Sequence, residues 1–126
     1  MNVKIDTKEK FTVITPIEPD ISANMTGELE NLLLSYIQKD MPHIILNLRE
    51  VQNIDGETGE KIAGVQQQFY ENNNSFIVCG LQKGPEELLE RMELLEIMNV
   101  TPTESEAWDI IQMEEIEREL SNDEEE

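Results

Sequence analysis

The chain is poor in the residues that most often carry chemistry: one cysteine, one histidine and one tryptophan stand among 126 residues. The lone Cys79 excludes an intramolecular disulfide and points to the reducing cytoplasm. His43, the only histidine, precedes a predicted strand with no Ser or Cys nearby in sequence, so a nucleophilic triad is not expected. Cations are scarce too. Nine Lys and Arg face 28 Asp and Glu, for a formal net charge of −19. Binding to nucleic acid needs clustered Lys and Arg and is not expected. Anionic membrane surfaces are disfavoured for the same reason. No apolar run approaches the roughly 18 residues of a membrane helix, so direct membrane insertion is not expected. Residues 1–6 lack an apolar leader core, so no secretory signal is read there. The glycosylation sequons at Asn24, Asn73 and Asn99 then carry no consequence.

A hydrophobic fraction of 38% suffices for one small core. A single domain is expected over residues 1–120, followed by an acidic tail at 121–126 expected to be disordered. Residues 83–126 hold 16 of the acids and three of the bases. A basic protein partner is compatible with this charge, but a solvated acidic surface is the plainer reading.

Residues 2–6 and 10–17 read as two strands joined by Lys8-Glu9-Lys10, with Pro16 and Pro19 bracketing the second. Ser22 stands where a helix N-cap belongs. Leu29, Leu32, Leu33, Tyr36 and Ile37 then share one helical face, which Pro42 closes. Ile44, Ile45, Leu46 and Leu48 form a nearly continuous apolar run, as in a strand buried on both faces. Ile62, Val65, Gln66 and Phe69 mark a second helix, ended by Asn72-Asn73-Asn74. Residues 75–81 are a second central strand. Gly84-Pro85-Glu86-Glu87 opens a third helix with proline at its first position, and Leu88, Leu89 and Met92 face inward. Ile97 to Val100 is a short strand or a packed loop. Thr103-Glu104-Ser105-Glu106 is a capping box. A last helix follows, with Ala107, Ile110 and Ile111 on one face and Met113 and Ile116 beyond. The predicted order β-β-α-β-α-β-α-(β)-α gives an α/β fold. Its mixed sheet of four or five strands is covered by about four helices, with strands 43–48 and 75–80 adjacent and parallel.

That order, with the central segment, resembles the STAS domain, the fold of bacterial anti-sigma factor antagonists and related regulatory subunits. Ile44-Ile45-Leu46-Asn47-Leu48 is similar to the family's central strand, which commonly ends Leu-Asp-Leu. Val51 to Asp55 resembles the approach to its switch loop. Phe76 to Leu81 resembles the following strand, and Leu94 to Met98 the Leu-x-x-Leu-Phe stretch near its third helix. The resemblance spans about residues 3–118 and implies a cytoplasmic regulatory module that works by partner switching. In the family the loop reads Asp-Ser-Ser-Gly or Asp-Ser-Thr-Gly, and a partner that is both anti-sigma factor and serine kinase phosphorylates the second hydroxyl residue. Aligned on Asp55, this chain has Glu57 there, and a carboxylate accepts no phosphate. Three readings stand open. Glu57 is a permanent, weak phosphate mimic; or Thr58 is the acceptor after a one-residue slip; or phosphorylation is lost and the loop binds constitutively.

The partner surface implied is the Asp20–Asn24 loop (Asp20, Ile21, Ser22, Asn24) with the turn Asp55, Gly56, Glu57, Thr58 and Gly59. The bland counterpart is that Asp55 merely caps a helix and Glu57 favours its positive end. Asp20, Asp55 and Glu57 have the chemistry to ligate Mg²⁺ or Ca²⁺, but nothing fixes their spacing. The Gly56–Gly59 turn lacks the lysine and length of a phosphate-binding loop. No catalytic set, metal site or cofactor is therefore expected. The partner implied is a protein, either an anti-sigma factor of serine-kinase type or a subunit of an ABC transporter or stressosome-like assembly.

Overall fold

A computed structural model describes the backbone of residues 1–39 and 43–125 and side chains through Leu120. Pro42 lies outside the described residues. The main sheet has five strands in the order β1-β2-β4-β6-β7. β1 (Val3–Thr7) pairs antiparallel with β2 (Thr12–Pro16). β4 (Ile44–Asn47), β6 (Phe76–Cys79) and β7 (Val100–Thr101) continue from β2 as parallel neighbours. The expected adjacency of the two apolar runs therefore holds, with Ile45 beside Ile77 and Leu46 beside Val78. Both runs are buried throughout because helices cover both faces of the sheet.

One face carries α1 (Ala23–Leu34), α2 (Gly56–Glu71) and α3 (Lys83–Arg91). Leu29 and Leu33 from α1, Ile62, Val65 and Phe69 from α2, and Leu89 from α3 meet Ile14, Leu46 and Val78 of the sheet. The other face carries α4 (Glu104–Glu125), whose Ala107 and Ile111 pack on Val13, Ile45, Ile77 and Cys79. Trp108 stacks on Phe11, ring centroids 4.9 Å apart, at the edge of this second layer.

Local signals account for the boundaries. Thr103 accepts the Glu106 amide at 3.2 Å, as the capping box predicts. Ser22 is the N-cap of α1, but its hydroxyl makes no capping hydrogen bond. Pro85 is the third residue of α3 rather than the first. The substitution costs nothing, since amides of the first helical turn have no intrahelical acceptor. Leu89 is fully buried, whereas Leu88 and Met92 are half-buried. Gly80 ends β6 with φ 72°, a left-handed conformation. A Cβ there would stand 2.7 Å from Asn47 Oδ1, so the tight exit from the sheet demands glycine.

Met113 and Ile116, beyond the inward face of α4, are both exposed. One feature differs from the sequence reading: α4 runs to Glu125, into the segment read as a tail, whose side chains and terminal Glu126 lie outside the described residues.

Candidate functional site

Two short strands that sequence patterning does not register bring the predicted loops together. β3 (Asp20–Ile21) pairs in parallel with β5 (Asn53–Ile54), forming a separate two-stranded sheet. The amides of Gln52 and Asn53 both donate to the Pro19 carbonyl, at 2.7 and 3.0 Å. The Asn53 side-chain amide donates to Asp20 Oδ1 at 2.8 Å. The loop entering α1 and the turn entering α2 are thereby fixed side by side.

Asp55 is the N-cap of α2. Its Oδ1 accepts the Thr58 amide at 2.9 Å and the Thr58 hydroxyl at 2.7 Å. These hydroxyl and amide bonds hold the Asp55 carboxyl below its ordinary range. The Ala23 amide at the start of α1 acts in the same direction. Thr58 Oγ1 also lies 2.6 Å from Thr26 Oγ1 on α1. Asp55 can only accept, so Thr58 donates to it. Thr26 divides its single proton between Thr58 Oγ1 and the Ser22 carbonyl, 3.0 Å away. The pair of threonines is a polar bolt between α1 and α2.

The predicted site residues consequently separate. Asp20, Ser22, Asn24 and Glu57 are exposed, and Asp55 and Gly56 are half-buried. Ile21 belongs to the core. Thr58 has no exposed surface at all. Gly59 is buried against α3, where a Cβ would meet Leu89 Cδ2 at 3.1 Å. The accessible ridge is Asp20, Ser22, Asn24, Asp55, Gly56 and Glu57. Among the described residues no group of three His, Cys, Asp or Glu is arranged to hold a metal ion.

A polar cluster at the opposite, N-terminal end of β4 and β6 was not read from sequence. Its members are remote along the chain. Glu114 of α4 accepts from Tyr70 at 2.5 Å, Ser75 Oγ at 2.6 Å and Asn99 Nδ2 at 3.1 Å. Asn99 also contacts the Tyr70 hydroxyl. Burial, then the Glu114 carboxylate, pushes the Tyr70 phenol up. Beside it, the Ser75 amide donates to His43 Nδ1 at 3.0 Å, while His43 Nε2 lies 2.8 Å from Glu115 Oε1. With Nδ1 accepting, Nε2 carries the proton of a neutral ring. Burial lowers the His43 pKa below the ordinary 6.5, although Glu115 opposes the shift.

The linkage has a definite sign. Between the lowered folded value and 6.5, the unfolded chain binds the proton more readily. His43 therefore contributes stability that is fully present above about pH 6.5 and lost as pH falls through the folded value. Urea unfolding at about pH 7 and about pH 5 should show a midpoint that drops on acidification, and His43→Gln should shrink that drop. An equal drop in both proteins would show that His43 does not carry it. At the other end of the strands, burial pushes the Cys79 thiol up to about 12, as befits an inert core residue.

An open, helix-covered sheet with a capped acidic turn at a βα junction defines a domain of the α/β class. The chain belongs to the STAS domain family: the family's model matches residues 2–107. Solved structures agree on the fold. A Thermotoga maritima protein named for the anti-sigma factor antagonists superposes with TM-score 0.79 at 16% identity, covering 87% of this chain and 94% of that one. An anti-sigma-factor antagonist (STAS) domain protein of Planctomyces limnophilus gives 0.76 at 16% identity, covering 87% and 97%. The murine anion transporter Slc26a9 gives 0.65 at 11% identity, covering 82% of this chain and 18% of the transporter. Among the described residues no helix is long and apolar enough to cross a membrane.

Proposed function

We propose that this chain is a cytoplasmic, non-catalytic protein-binding regulator of the anti-sigma factor antagonist kind. It presents the ridge Asp20, Ser22, Asn24, Asp55, Gly56 and Glu57 to its partner without a phosphorylation cycle at the usual position. The observation that carries this is the β3–β5 pairing, which sets two exposed acidic loops side by side at the N-terminus of α2. Family membership supplies the class of function. With the loop aligned on Asp55, Glu57 falls at the position of the family's phosphoacceptor, and it has no hydroxyl. The neighbouring Thr58 is sealed between two helices. Of the three readings of the loop, constitutive binding accords best with this geometry. The anion transporter that contains the same fold supports a coarser second reading, in which the module works as a component of a transporter or larger assembly.

The test uses an anti-sigma factor of serine-kinase type as the candidate partner. Titration calorimetry should show binding that Asp20→Arg and Glu57→Arg each weaken by about 2 kcal/mol or more, because like charges then face the partner. Both sites are exposed, so these variants should fold. Incubated with a serine kinase partner and ATP, the parent should take up no phosphate, while Glu57→Ser should. Phosphate on the parent that disappears in Thr58→Ala would move the acceptor to Thr58. Binding indifferent to both charge reversals would reduce the ridge to a helix cap. A permease and ATPase encoded nearby, in place of a kinase, would favour the second reading.

A further inference from the structure

α4 carries an apolar stripe on the side that faces away from the sheet. Met113, Ile116 and Leu120 are 60%, 56% and 57% exposed. Their spacing, i, i+3 and i+7, is that of successive a, d and a positions in a coiled-coil seam. Ala107 and Ile111 already bury the opposite side of the helix, so the stripe contributes nothing to this chain's own core. Three large apolar side chains aligned over two turns form a contiguous patch rather than scattered exposure.

The flanks of the stripe specify what covers it. With Met113 at a, the e and g positions beside the seam are Gln112, Glu117 and Glu119. Residues 104–120 hold seven acids and one base, Arg118, and Arg118 is drawn back to Glu114 at 3.9 Å. A second copy would bring only carboxylates and a glutamine to these flanks, under a net charge of −19 on each chain. That repulsion disfavours self-association. The stripe is also too short for a large obligate interface; it matches one helix lying along another.

We infer that the outer face of α4 is a second docking surface, built for a basic amphipathic helix of a partner protein. The partner helix presents Leu, Ile or Met at a and d, with Lys or Arg at its e and g positions opposite Glu117 and Glu119. This surface and the Asp20–Glu57 ridge lie on different layers of the fold. The ridge belongs to the loops feeding α1 and α2, whereas α4 packs on the other face of the sheet. Two proteins can therefore be held at once, and occupation of one surface leaves the other free.

The probe is a fluorescent Leu/Lys peptide of about 18 residues, patterned so that Leu falls only at a and d. A scrambled peptide of identical composition reports charge attraction alone. Anisotropy should show the patterned peptide binding the full chain at least about tenfold more tightly than the scrambled one. The double variant Met113→Ser/Ile116→Ser should abolish that preference, while Glu57→Arg should leave it intact. Both Ser substitutions are at exposed positions, and circular dichroism of the variant should match the parent. Equal binding of patterned and scrambled peptides, or an undiminished preference in the double variant, would overturn the inference. Dimers in sedimentation that the double variant dissociates would overturn it in favour of a second copy of this chain.

Discussion

Thr58→Asp should destabilise the domain by roughly 3–5 kcal/mol, the usual cost of an uncompensated buried charge. Thr58 is fully buried, and its hydroxyl lies 2.7 Å from the Asp55 carboxylate. The new carboxylate would face Asp55 at hydrogen-bond distance. It would also remove the donor that Asp55 uses to cap α2 and the partner of Thr26. Thr58→Val is the milder control. It keeps the shape, leaves Thr26 and Asp55 short of one hydrogen bond each, and should cost roughly 1–3 kcal/mol. Glu57→Ser, one residue away but exposed, should change stability by less than about 1 kcal/mol through the helix dipole. Urea denaturation of the three variants gives the order directly. A Thr58→Asp protein within about 1 kcal/mol of the parent would show that the α1–α2 contact opens readily. Thr58 would then return as a realistic acceptor for phosphate, whose charge of about −2 is a harsher insertion than aspartate's.

The same residue shows how sequence and structure divide the information. That Asp55 caps a helix is legible, because a cap is written in a few adjacent residues. That Thr58 is sealed is not. It depends on Thr26, 32 positions earlier, being brought opposite it by a pairing of β3 and β5 only two residues long. Strands of that length have no periodicity to read; they exist because the surrounding layers hold the chain there. β4 and β6 were readable for the opposite reason, since burial on both faces leaves unbroken apolar runs. The outer stripe of α4 is not legible as exposed, because Met113 and Ile116 follow Ala107 and Ile111 in an apolar helical pattern. Periodicity reports that residues share faces, and only the packing of the helix tells which face meets the sheet.

Glu114→Ala should cost about as much as the insertion at Thr58, roughly 3–5 kcal/mol, although Glu114 lies far from the ridge. Its carboxylate is the common acceptor for Tyr70 at the end of α2, Ser75 at the entry to β6 and Asn99 at the entry to β7. Truncation leaves these donors without their acceptor in a half-buried site, and an unmade buried hydrogen bond costs about 1–3 kcal/mol each. It also deprives Arg118 of its counter-charge 3.9 Å away. Glu114→Gln separates charge from geometry. An amide retains an oxygen acceptor but offers two hydrogens to a cluster already crowded with donors, so it should recover only part of the loss. Because this cluster ties α4 to the sheet and to α2, hydrogen exchange in Glu114→Ala should accelerate first in α4, before the β4–β6 core opens. The ridge at Asp20 and Glu57 is held by its own bonds at the other end of the strands. Partner binding there should survive in Glu114→Ala under conditions where the variant remains folded. Loss of ridge binding in a folded Glu114→Ala protein would show instead that the two ends of the domain are coupled through α2, the helix that begins at the ridge and ends at Tyr70.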